Sequence, residues 1–368
     1  MEELLSIRST RDINLKELLG REIFYFNIED VDSYLEGQVI MITGGGGSIG
    51  SELCRQIASF SPKTLIILDN YENNAYNTQI EILRKWPNLD LVTVIANIRE
   101  KRRIDEIFKK YKPDIVFHTA AHKHVPLMEE NPSEAIKNNI FGTQNVAECA
   151  NKYYTKKFIM ISTDKAVNPS NIMGVTKRIS EGIIQSYNSI SSITKFAAVR
   201  FGNILGSSGS VIPLFIKQIE EGGPITVTHP DVTRFFMTIY EAVQLVIQVG
   251  VMAKGGEIFV LDMGQPIKIY DLARNLIALF GLIPDKDIEI IFTGLRPGEK
   301  LHEEILWDQE RLQPTKNKKI FVIPPIHVDF QELYKSIKNL KKIVYKTGND
   351  NNSMVINYLQ NMISKYNL

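Results

Sequence analysis

With 368 residues and 43 Lys+Arg against 42 Asp+Glu, the chain is long enough to bury a large core and carries no global charge bias toward nucleic acid or anionic membrane surfaces. Its two cysteines, Cys54 and Cys149, fall in segments of helical pattern, which fits buried thiols better than a disulfide framework. No run approaches the ~18 apolar residues of a membrane span, and the start, Met1 to Arg11, is charged where a secretory leader is apolar. The expectations are a cytoplasmic location, no membrane insertion and no nucleic-acid partner.

Residues 1–36 read as a mixed, charged preamble ending at Glu36-Gly37. Residues 38–43 then form a short apolar run, the pattern of a buried strand. Similar runs recur at 64–68, 91–95, 114–118, 157–161 and 195–199, with helical patterns such as 49–60 and 101–111 between them. This alternation predicts an α/β fold with a doubly wound parallel Rossmann sheet over 37–202. Beyond Gly202, shorter strands, more Gly and Pro, and isolated helices at 240–253 and 269–280 predict a smaller α/β substrate lobe over 203–310, interleaved with the Rossmann core. Residues 311–368 form a C-terminal segment, with a polar loop from Asn349 and an amphipathic helix from Val355.

The first strand runs straight into Thr43-Gly44-Gly45-Gly46-Gly47-Ser48-Ile49-Gly50, where Gly44, Gly47 and Gly50 have the spacing G-x-x-G-x-x-G. The first allows a tight turn, the second a close approach of backbone to pyrophosphate, and the third close packing of the helix that Ser48 and Ile49 open. Asp69 ends the second strand, nineteen residues after Gly50, where a carboxylate can accept hydrogen bonds from an adenosine ribose. The same charge repels a 2′-phosphate, so NAD is expected over NADP.

The fifth strand ends in Ser162-Thr163-Asp164-Lys165, a polar cluster at the carboxyl edge of the sheet, where ligands of such folds bind. A helix follows from near Ser170, with Met173 and Lys177 four residues apart on one face. After the fourth strand comes Thr119-Ala120-Ala121-His122-Lys123-His124. No carboxylate or Cys completes a ligand set around those histidines, so no metal is expected and a cofactor or phosphate contact is.

The glycine turn, the Ser/Thr at a strand end and Lys177 resemble the extended short-chain dehydrogenases, in which a Tyr four residues before the Lys handles a hydroxyl proton. Here Met173 stands at that position, and Met can be neither acid nor base. Residues 43–52, 162–169, 171–177, 199–203 and 295–300 together resemble the UDP-N-acetylglucosamine 4,6-dehydratases of bacterial surface-glycan synthesis, over roughly residues 15 to 310. The Met variant resembles the branch that retains configuration at C5. Membrane-bound members carry an N-terminal transmembrane module, and by comparison this sequence looks like a free-standing catalytic portion.

The resemblance implies an elimination pair, Lys165 as base at C5 and Asp164 as acid at the C6 hydroxyl, beside Thr163, Met173 and Lys177. The C4 hydroxyl proton has two open routes, through Thr163 to Asp164 or through a water held by Lys177. Toward the cofactor it implies Ala120, Ala121, Asn139, Lys177, Ile98 and Asn97, the last where relatives usually have an Asp at the adenine amine. Toward a UDP-sugar it implies Lys123, Thr163, Asn203, Arg234, Arg296 and Glu299, in a homo-oligomer. A nucleotide-sugar epimerase and a non-catalytic dinucleotide-binding scaffold are the competing readings.

Overall fold

The computed structural model describes residues 31–306, 311–347, 352–366 and 368. The expected preamble up to residue 30 and the polar loop at 349–351 lie outside the described residues. Contacts group 31–201, 243–262 and 304–368 into a larger unit, and 202–242 with 263–303 into a smaller one, among the described residues.

The larger unit is the doubly wound sheet that the sequence predicts. Its strands β1 (Val39–Thr43), β2 (Thr64–Asp69), β3 (Leu91–Ile95), β4 (Ile115–His118), β5 (Lys157–Ile161) and β6 (Lys195–Arg200) are parallel and lie in the order 3-2-1-4-5-6. β2 and β4 are buried along their whole length, which explains why they read as unbroken apolar runs rather than as alternating strands. Phe108, Phe117, Phe158 and Phe196 are wholly buried in the same unit, each burial stabilising it by about 2 kcal/mol. Strand order reverses between β1 and β4, and their ends are in register, Thr43 opposite His118. In open sheets of this kind ligands bind at such a switch point, beyond the carboxyl ends of the strands.

Two features differ from the sequence reading. The sheet continues past β6 with Ile258–Leu261, parallel, and then with Ile320–Ile323 and Gln313–Pro314, antiparallel. The segment around Asn139, which the sequence pattern alone reads as one long helix after β4, is broken into Val125–Glu130, Pro132–Ala135, a π-helical stretch Ile136–Gly142, and Thr143–Lys152. Pro132 cannot donate a main-chain hydrogen bond, so it starts a new helix instead of continuing the old one.

The smaller unit is α/β as well. Ile225–Val227 pairs in parallel with Ile290–Phe292, and helices Val211–Glu220 and Ile269–Leu279 bury Phe215, Ile219, Leu272 and Leu276 in its core. No helix among the described residues is long and apolar enough to cross a membrane.

Candidate active site

β1 runs into Gly44 at φ +70, where a Cβ would be strained and would sit 2.8 Å from the Ala120 backbone. Gly50 packs so tightly on the Gly44 carbonyl that any side chain would collide with it. Helix Ser48–Ala58 starts at Gly47 with no side-chain cap hydrogen bond, and a helix N-terminus of this kind suits an anion. Ser48 and Ile49 are half-buried at that turn. Asp69 accepts from the N–H of Gly46 (2.9 Å, Oδ2) and of Tyr71 (2.9 Å, Oδ1), so it fixes the glycine turn and keeps a lone pair on each oxygen. Asn97 turns its side-chain oxygen onto the Arg99 N–H (3.0 Å), and the Ile98 carbonyl accepts from Asn145 (3.0 Å).

At the end of β5 the chain stays tied to β6 through Ser162 N–H to Val199 O (2.6 Å) and Asp164 N–H to Phe201 O (3.1 Å). Asp164 is 1% exposed, and its Oδ1 accepts from the Thr163 hydroxyl (2.8 Å), the Lys165 N–H (2.9 Å) and Lys165 Nζ (3.1 Å). Its buried Oδ2 has no hydrogen-bond partner among the described residues. Asn171 caps helix Ile172–Ile190 by accepting from Gly174 N–H (2.7 Å), and Gly174 lies against the Lys165 carbonyl with no room for a Cβ. Lys177 is buried on that helix with Nζ donating to Ile161 O (2.6 Å). Burial pushes its pKa down to about 8, against the opposing pull of Glu181. Met173, one turn earlier, is 3% exposed in the apolar core beside Ile172 and Ile179.

Sequence reasoning missed the group that braces this edge. Glu181, one turn beyond Lys177, accepts from Ser162 Oγ (2.6 Å), from Arg200 through Nε (2.7 Å) and Nη2 (2.7 Å), and from Arg178 (3.0 Å). Burial raises its pKa, but the two guanidiniums and the hydroxyl outweigh it and bring the carboxyl down to about 2. The available signals were the four-residue spacing from Lys177 and an Arg at the end of an apolar strand. His118 is also buried, between Thr43 Oγ1 (2.7 Å) and Thr143 Oγ1 (2.9 Å), and burial pushes it down to about 3, so it stays neutral.

Asn139, expected near the cofactor, uses its side chain on protein: it accepts from His122 N–H (2.8 Å) and donates to His122 O (3.0 Å) and Thr176 Oγ1 (3.0 Å). Half-buried Ala120 and Ala121 and exposed Lys123 lie on the loop it holds, and desolvation lowers the Lys123 pKa. In the smaller unit Arg234 is buried and donates to Thr233 O (2.7 Å), Leu301 O (3.3 Å) and Glu299 Oε1 (2.9 Å). Glu299 also accepts from the Arg296 N–H (3.2 Å), which leaves the Arg296 side chain exposed at the tip of that loop. Asn203 is half-buried, with its N–H on Phe235 O (2.9 Å).

Residues 40–325 match the family described as polysaccharide biosynthesis protein. The chain belongs to that family. A member from Staphylococcus aureus, "Capsular polysaccharide biosynthesis protein CapD", is 55% identical over 82% of this chain, which spans about half of that relative's length (50%). A "UDP-N-acetylglucosamine 4,6-dehydratase (inverting)" from Campylobacter jejuni is 35% identical over 78% of this chain and 82% of its own. A "UDP-glucose 4-epimerase" from Rickettsia massiliae is also 35% identical, over 78% and 83%. Among solved structures, Pen from Bacillus thuringiensis superposes with a TM-score of 0.74 at 38% identity, covering 80% of this chain and 90% of Pen. The family thus includes nucleotide-sugar dehydratases and epimerases, and overall identity alone does not choose between them.

Proposed function

We propose that the chain is a nicotinamide-dependent 4,6-dehydratase that converts UDP-N-acetylglucosamine to its 4-keto-6-deoxy product for surface-glycan synthesis. The observation that carries this reading is the hydrogen-bonded strip Thr163-Asp164-Lys165 around buried Asp164, with Lys177 anchored on Ile161 O at the end of β5 and apolar Met173 at the position of the dehydrogenase Tyr. The glycine turn fits a pyrophosphate, and Asp69 favours NAD over NADP by repelling a 2′-phosphate. A nicotinamide dinucleotide held there by the glycine turn and Asp69 would supply a hydride acceptor for sugar C4 and a hydride donor for C6.

The protein's own part is proton handling. Thr163 donates to Asp164 and accepts from the Lys165 N–H (3.4 Å), which leaves one lone pair of its oxygen for the C4 hydroxyl, whose proton passes through Thr163 to Asp164. The resulting ketone acidifies C5–H, which Lys165 removes in its neutral form, after giving its ammonium proton to solvent, while Asp164 protonates the C6 hydroxyl that leaves as water. Lys165 then returns its proton to C5. In the smaller unit, Arg234, paired with Glu299, holds the loop that carries exposed Arg296, whose planar fork suits a phosphate.

Incubating the protein with UDP-N-acetylglucosamine, without added reductant, tests the reading by mass spectrometry and proton NMR. Loss of one water, a new C6 methyl signal and no net NADH are expected. Unchanged mass with altered ring couplings would instead support the epimerase reading, which the Rickettsia relative favours. No turnover of any nucleotide sugar would leave a dinucleotide-binding scaffold.

A further inference from the structure

A continuous hydrogen-bonded chain in the larger unit lies outside the reacting strip. Arg99 stands two residues past Asn97, on the loop after β3, and reaches to the segment after β4. Its Nη1 bonds Glu134 Oε2 (2.5 Å), its Nη2 lies 2.7 Å from His122 Nε2, and its Nε lies 3.4 Å from Asn138 Oδ1. A guanidinium only donates, so His122 must present a lone pair at Nε2 and carry its single proton on Nδ1. Burial and then the Arg99 charge hold this histidine below its ordinary range, which keeps it in the accepting form.

Asn139 grips the same residue by its N–H and its carbonyl, so His122 is fixed at three points. Lys123 is the next residue. Asn139 continues to Thr176, whose hydroxyl donates to Met173 O (2.7 Å) on the helix that bears Lys177. The chain of contacts therefore runs from the adenine-side loop, past the base of Lys123, to the catalytic helix.

We propose that Arg99, acting through His122, is a positioning residue that sets Lys123 for the nucleotide sugar. The inference rests on the reading of Lys123 as a substrate contact. It predicts that Arg99 acts on sugar-nucleotide affinity although it touches neither substrate nor reacting atoms.

The test measures binding of UDP-N-acetylglucosamine to the cofactor-loaded protein by calorimetry, together with kcat, cofactor content and Tm. Arg99→Met and His122→Phe should each raise Kd about tenfold while kcat stays within about twofold. His122→Gln, which keeps an acceptor for Arg99, should recover most of the affinity. The double variant Arg99→Met/His122→Phe should be no weaker than either single one, because both remove one interaction. Lys123→Ala serves as the reference. If Lys123→Ala raises Kd but Arg99→Met leaves it unchanged, with or without a lower Tm, the positioning role is overturned and Arg99 is only a loop anchor. If Lys123→Ala leaves Kd unchanged, the reading of Lys123 itself fails and takes this proposal with it.

Discussion

The glycine turn after β1 and the polar strip after β5 lie at the carboxyl edge of one sheet, yet they are built from different material. The turn is made of main chain: Gly44 needs a positive φ, Gly50 has no room for a side chain, and Asp69 acts partly by holding the Gly46 N–H. The strip is made of side chains whose charges and protons are already in contact, with three donors converging on one oxygen of a buried carboxylate. Damage to the turn should therefore act through volume, and damage to the strip through proton transfer. The first lowers stability and cofactor content together, and the second lowers turnover alone.

The largest separation is expected from Lys165→Ala. The side chain is mostly shielded but packs no core, so the fold and the bound cofactor should survive while kcat falls roughly a thousandfold. Solvent deuterium should also stop entering C5. Full turnover by this variant would remove Lys165 from the proposed chemistry, and loss of cofactor along with turnover would blur the distinction between the two regions.

Gly50→Ala is the matching change in the turn. A methyl group there meets the Gly44 carbonyl, and helix Ser48–Ala58 must move off the strand, at a cost of about 3 kcal/mol. Chemical denaturation and the absorbance of extracted dinucleotide would read both consequences. A stable variant with normal cofactor content would show that the turn has slack that the geometry does not reveal.

This contrast also explains what the sequence made legible. β1 to β6 were readable because each is a short apolar run between turn signals, and the glycine spacing was readable because backbone geometry leaves no alternative residue. The further strand Ile258–Leu261 was not, because it lies outside the strand–helix alternation and its place in the sheet is set by its pairing with β6 and with Ile320–Ile323. Nor was the break in the helix after β4. Its π-helical stretch carries Gly142 against the Ile98 side chain and Asn139 onto His122, and both contacts come from segments distant in sequence. Asn97 and Asn139 were singled out by pattern, but pattern could not show that their side chains are engaged within the protein. Glu181 was missed for a related reason: a Glu on a helix ordinarily faces water, and only the fold places Arg200 and Arg178 around it.

Lys177 sharpens the comparison through pH, since its charge is a property of the strip's side and not of the turn. Its folded pKa is about 8, below the ordinary lysine value of 10.5, so the unfolded chain binds more protons between those two values. The cost of burying this group is fully present below about pH 8 and is relieved as pH rises through the window, by up to ~1.4 kcal/mol per pH unit. Urea unfolding of the cofactor-free protein should show this upward contribution, and Lys177→Met should abolish it. Identical pH slopes for the two proteins would mean that Lys177 is hydrated and keeps its charge in the fold. His118 adds nothing in this range, because its pKa of about 3 keeps it neutral throughout.

The smallest expected effect lies where main chain and side chain meet. Asn171 caps helix Ile172–Ile190 through the Gly174 N–H, and Gly174 is the residue whose backbone rests on the Lys165 carbonyl. Asn171→Ala removes one cap hydrogen bond and should cost about 1 kcal/mol, while Asn171→Asp, which can still accept that bond, should cost less. Because the helix is nineteen residues long and buried through most of its length, the loss should be confined to fraying of its first turn. Turnover should then fall only as far as Lys165 loses its backbone support, a few-fold at most, with the protein still folded at assay temperature. A fall in kcat much larger than the fall in stability would mean that the first turn of this helix holds the strip in register, which would make the strip depend on main-chain geometry as strictly as the glycine turn does.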